Sequence, residues 1–124
     1  MKPGITRDQR RAAHAWKLVQ DTRGQGEKAA ADFATHVRKM PARIATAGLG
    51  PALAFIEAKD QKILSTALGD WILREGKIAQ GPTLMKAIME GNASDLRRWT
   101  EEALAWLAWV KRFCDAEKIR GSDT

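Results

Sequence analysis

LRRWTEEALAWLAWVKRFC, residues 96–114, decides how the chain folds. Leu96, Trp99, Ala103, Trp106, Val110 and Phe113 recur at alternating steps of three and four, which places them on one stripe of an α-helix. At helical pitch Leu104, Leu107 and Cys114 widen the stripe on one side and Trp109 widens it on the other, giving an apolar arc of about 220°. A surface helix needs about half of that. The stretch therefore reads as a core helix buried on more than one side, by helices of its own domain or partly by another protein. Three of the five tryptophans lie in it.

Outward from this helix, composition sets the class. Ala, Leu, Lys, Arg and Glu dominate the 124 residues, β-branched residues are few and Tyr is absent. That bias predicts an all-α protein, a single compact bundle of about five or six helices in one domain over residues 1–124. The lone cysteine, Cys114, lies on the apolar stripe and reads as a small buried hydrophobe. No disulfide can form within the chain, and neither a signal-peptide core nor a membrane-length apolar run is present, so a cytoplasmic location with no membrane partner is expected.

The net charge of +6 is unevenly placed. Residues 1–43 carry ten Lys and Arg against four acids, whereas residues 44–124 carry eleven against eleven. A localised basic excess points to a polyanionic partner such as nucleic acid, or to a solvated basic face.

The first helix is expected to start at Thr6, which with Gln9 forms a capping-box signature. Ile5, Ala12, Trp16 and Val19 would face inward. Arg7, Arg10, His14 and Lys17 fall on the opposite side and form a ridge suited to phosphate, with salt-sensitive binding and little base preference. A second helix runs from about Glu27, and Pro41 should kink or break it. Gly48 reads as a C-terminal cap and Pro51 as the first position of a third helix reaching about Lys59. A fourth helix through Ile63–Ile72 stops near Gly76, Gly81 and Pro82 mark a loop, and a short helix over Leu84–Met89 ends at Gly91. Ser94 is the expected cap of the last helix, and the tail after Lys118 is expected to fray.

Catalytic groupings do not emerge. His14, His36 and Cys114 share no metal-ligand spacing, and neither histidine has an evident nucleophile partner. Glu101 and Glu102 are adjacent and point about 100° apart. No glycine loop has the context of a phosphate-binding motif. The reading is a non-enzyme with no cofactor and no metal.

Two segments carry a resemblance. Arg38–Lys59, RKMPARIATAGLGPALAFIEAK, and Trp99–Ala116, WTEEALAWLAWVKRFCDA, resemble the small α-helical subunit of the type III-B CRISPR Cmr effector complex. The first has basic residues, Pro, an aliphatic, Gly-Leu-Gly, then Leu-Ala-Phe and a lysine. The second has an aromatic ahead of Glu-Ala-Leu, then Trp-aliphatic-Lys-Arg-Phe. Trp99 stands where the family often has Tyr, and Ala47 where it often has Asn.

The resemblance implies a non-catalytic subunit that stacks with further copies of itself in the minor filament, beside backbone and large subunits, and helps line the channel where guide and target RNA pair. Base pairing then reads sequence, and this subunit needs only phosphate and duplex shape. Lys39, Lys59, Lys111 and Arg112 are the cations the match carries across as RNA-facing. Arg7, Arg10, His14, Lys17, Arg38 and Arg43 join them from the charge pattern. Lys111 could also run its stem along the core, and Arg112 could pair with Glu101 or Asp115. Trp109, at the rim of the stripe, reads as an edge residue or a subunit interface. A free-standing helical DNA-binding regulator is the rival; it would need base-reading side chains on an exposed recognition helix.

Overall fold

The computed structural model of the chain describes residues 4–76 and 83–121. These form six helices: α1 (Arg7–Arg23), α2 (Glu27–Ala47), α3 (Leu49–Ala58), α4 (Lys62–Glu75), α5 (Leu84–Glu90) and α6 (Ala93–Ala116). No strand occurs among the described residues, and none of their helices is long and apolar enough to cross a membrane. The expected loop at Gly81 and Pro82 lies outside them.

α6 is the central strut. It packs against α1, α2 and α4, which together cover Trp99, Ala103, Trp106, Leu107, Val110 and Cys114. The wide arc read from the sequence is thus answered mostly from within the chain. Leu96 stays exposed at its start, and Leu104, Trp109 and Phe113 are half-buried. Burial pushes the Cys114 thiol up to about 11, against 9.0 ordinarily, and leaves it an inert filler.

The cap of α6 is Asn92, not Ser94: the Asn92 side chain accepts from the Asp95 N–H at 2.8 Å. Asn serves this role as well as Ser, and the helix gains an extra half-turn. Gly91 just before it is required by space. A Cβ there would come within 2.9 Å of the Trp99 ring.

At α1 the capping box is present, with Thr6 accepting from Gln9 N–H at 3.0 Å and Gln9 accepting from Thr6 N–H at 2.8 Å. Its buried face is Ala15, Leu18, Val19 and Thr22. Trp16 and Ile5, expected inside, are 45% and 44% exposed. Ile5 precedes the helix, and Trp16 sits at the margin of the α1–α6 contact, edge-on to Phe113 at 5.2 Å between ring centroids.

α2 runs unbroken through Pro41. The proline leaves the Val37 carbonyl without a helical donor, yet buried Val37, Met40 and Ile44 hold both sides of it in the core. Gly48, at φ +96°, then turns the chain from α2 directly into α3, its N–H donating to the Ile44 carbonyl at 2.8 Å. A side chain is strained at that φ. α3 starts earlier than expected, so Pro51 is its third residue, still within the turn whose N–H groups lack helical acceptors. The tail does not fray at once: Ile119 is buried, and its carbonyl accepts from Arg38 at 2.7 Å. Residues 122–124 lie outside the described part.

Candidate nucleic-acid interface

The cationic ridge of α1 is engaged by carboxylates, from α4 at Arg7 and Arg10 and from α1 itself at Lys17. Arg10 donates to Glu75 at 3.0 Å, Arg7 pairs with Glu75 at 3.3 Å, and Lys17 pairs with Asp21 at 2.7 Å. His14 leaves the ridge altogether. It lies 5.2 Å from Trp71 and 5.7 Å from Trp106 by ring centroids. Its Nδ1 accepts from Trp106 Nε1–H at 2.9 Å, which puts the ring proton on Nε2, facing Asp70 at 3.0 Å. Replacing Arg7 and Arg10 by Glu would therefore set like charges against Glu75 and Glu102, and would not be a neutral surface change.

Arg11, which the sequence reading passed over, organises the junction of α1, α4 and α6. Its guanidinium donates to both carboxylate oxygens of Glu102, with the Nη2 bond at 2.8 Å, and to Asp8 at 2.9 Å. Trp71 Nε1–H donates to the same Glu102 at 3.0 Å. Burial raises the Glu102 carboxyl pKa, but the hydrogen bonds from Arg11 and Trp71 and the charges of Arg11 and Arg7 outweigh it and hold the group below its usual 4.5. A depressed carboxyl stabilises the fold fully above the unfolded-state value and loses that contribution as pH falls through the folded one. Acid titration of the unfolding free energy should show a loss setting in below about pH 4.5. Glu102→Gln should be less stable at neutral pH and flatter through this window. An identical acid limb in the variant would assign the sensitivity to another carboxylate.

Two further cations lie on α6. Lys111 and Arg112 are exposed and make no ion pair among the described residues. Asp115, a partner expected for Arg112, instead pairs with Arg38 at 2.9 Å. Trp109 is half-buried, its Nε1–H donating to Asp8 at 2.9 Å and its ring 5.5 Å from Phe113. The donor bond from Trp109, then that from Arg11, lowers the Asp8 pKa.

A group of cations without carboxylate partners among the described residues lies where α2 meets α3. Lys39 and Arg43 on α2 and Lys59 at the end of α3 surround His36, whose pKa is held below its usual value by burial first and then by the charges of Arg43, Lys39 and Lys59. Asp32 opposes this, but it is paired with Lys28 at 3.3 Å. None of Lys39, Arg43 and Lys59 pairs with a carboxylate among the described residues. Arg43 Nη1–H donates to His36 Nδ1 at 2.9 Å, so this ring is neutral with its proton on Nε2. The Arg43 guanidinium carbon lies 4.2 Å from the centre of the Phe55 ring, and Lys59 Nζ lies 5.6 Å from it.

His36 and Phe55 were missed in the sequence. A signal for the first existed, because His36 and Arg43 are seven residues apart, two turns on one helix face. Phe55 entered the sequence reading only as part of the Leu-Ala-Phe element, with nothing to mark it as surface, and the structure leaves it 41% exposed. Among the described residues no group of three His, Cys, Asp or Glu side chains could hold a metal ion. The chemistry this face offers is attraction of an anion.

Comparison with known proteins agrees with the segments singled out above. The chain is 32% identical over 119 residues to the CRISPR system Cmr subunit Cmr5 of Thermus thermophilus, covering 90% of this chain and 95% of that protein. Its fold matches the crystal structure of a CRISPR-associated Cmr5 family protein from the same organism, with a TM-score of 0.69 and 29% identity over 90% of this chain and 96% of that one. The family model for the CRISPR-associated protein Cas_Cmr5 matches residues 7–117, from the first residue of α1 to just past the end of α6, and the chain belongs to that family.

Proposed function

We propose that the chain is a non-catalytic, RNA-contacting subunit of a cytoplasmic type III-B CRISPR Cmr ribonucleoprotein, placed in the minor filament beside guide and target RNA. The observation that carries the reading is the α2–α3 face. In a protein that pairs Arg7, Arg10, Arg11, Arg38 and Arg74 with carboxylates, Lys39, Arg43 and Lys59 are left together without one among the described residues. Cations kept clear of internal acids are available to phosphate, and they hold a backbone without reading its sequence. Lys111 and Arg112 form a second such pair on α6. Arg7, Arg10, Lys17 and Arg38 reach phosphate only by leaving their carboxylates, and His14 only by leaving the aromatic cluster.

The strip of Trp16, Phe113 and Trp109 along α1 and α6 is proposed as the contact with a neighbouring subunit, either another copy or a backbone protein. Half-exposed aromatics, with the Trp109 N–H already held by Asp8, suit an interface core. Isolation of the tagged chain from its own cell should bring down backbone and large Cmr subunits with guide RNA. Recovery alone, or with a defined duplex DNA as a free-standing regulator would give, rejects the proposal.

A further inference from the structure

Phe55 is the one aromatic ring of the α2–α3 region left in solvent. Its helix buries Leu49, Ala52, Leu53 and Ile56 and leaves Phe55 41% exposed at the edge of that face, so the core does not depend on a ring at position 55. Above it, Arg43 is held from two directions: the ring lies 4.2 Å beneath its guanidinium carbon, and His36 fixes one end at 2.9 Å. An arginine so placed is a pre-set flat cation beside a flat apolar surface. Two lysines neighbour it, Lys39 one turn before Arg43 on α2 and Lys59 one turn after Phe55, its Nζ 5.6 Å from the ring centre. Alternation of a planar stacking surface with separate cations is what single-stranded RNA demands, because its bases stack on aromatic or guanidinium planes while its phosphates need point charges.

We propose that Phe55 and Arg43 form a stacking subsite for one unpaired nucleobase, with Lys39 and Lys59 holding the phosphates on either side of it. The assignment rests on the reading of this face as RNA-facing and adds to it. Phosphate contact alone would be indifferent to whether bases are present, whereas this subsite is not. His36 serves as the positioning residue, keeping the guanidinium over the ring.

The test uses the full chain and two fluorescently labelled oligomers of equal length, an oligouridine and its abasic counterpart, with affinity read by anisotropy. The wild-type chain should bind the base-bearing oligomer about ten-fold more tightly. Phe55→Ala removes the ring, and Arg43→Lys keeps the charge but loses the plane. Each should bring the two affinities together while leaving the thermal melt near wild type. His36→Gln, which can still accept from Arg43, should retain most of the preference. Equal wild-type affinity for both oligomers, sensitive to Lys39 and Lys59, would overturn the stacking subsite and leave the phosphate reading intact. A preference that survives both Phe55→Ala and Arg43→Lys would place the stacking elsewhere and also overturn it. Binding of neither oligomer would overturn the subsite and the RNA-facing assignment together.

Discussion

Replacing Trp106 by alanine lowers the unfolding free energy by about 3–5 kcal/mol, the range for removing a fully buried aromatic. Trp106 has no exposed surface and lies on α6 where α1, α2 and α4 converge. Its loss opens a cavity among rigid helices and takes the donor from His14 Nδ1. A domain of this size holds about 5–15 kcal/mol in all, so the variant would be marginal or unfolded. Trp106→Phe should cost less. It keeps one aromatic ring but loses the N–H and part of the bicycle, so its cost should be about 2–3 kcal/mol, from the unpaired acceptor together with a smaller cavity. Urea melts with unchanged slope would measure both. A midpoint for Trp106→Ala close to wild type would mean that α6 does not present this face to the core.

That prediction was available from the sequence, because a helix buried on three sides announces itself in its own residues. The period of 96–114 gave the strut, and Thr6, Gly48, Gly76 and Gly91 mark helix ends in the folded chain as they do in the sequence. What was illegible is whatever depends on residues distant in the chain. Arg10 meets Glu75 across 65 positions, Arg11 meets Glu102 across 91, and His14 meets Trp106 across 92. No periodicity in α1 reports that its basic residues will face acids from α4 and α6. The basic excess of residues 1–43 is therefore a true count and a poor map: folding cancels much of it at α1. Among the described residues of that segment, the surplus left lies at Lys39 and Arg43, joined there by Lys59 from the half with no net charge. Pairs within a turn, such as Lys17 with Asp21 or Arg98 with Asp95, were within reach of helical spacing alone.

The location of the surviving surplus makes the largest functional effect a local one. Lys39→Glu combined with Lys59→Glu should weaken binding of single-stranded RNA by about 30-fold at low salt, since two phosphate contacts are lost and two repulsions introduced. Both positions are exposed and free of ion pairs among the described residues, so the melt should move little: exposed substitutions usually stay within about 0.5 kcal/mol each. The salt dependence carries the sharper diagnosis. Three contacts, at Lys39, Arg43 and Lys59, give a slope of log K against log salt of about −2 for a single strand. The double reversal should bring it close to zero. Reversing Lys17 instead, whose charge is already engaged by Asp21 at 2.7 Å, should change neither affinity nor slope by more than about two-fold. If Lys17→Glu proves the more damaging change, the polyanion lies along α1 after all, and the ion pairs seen there open to receive it.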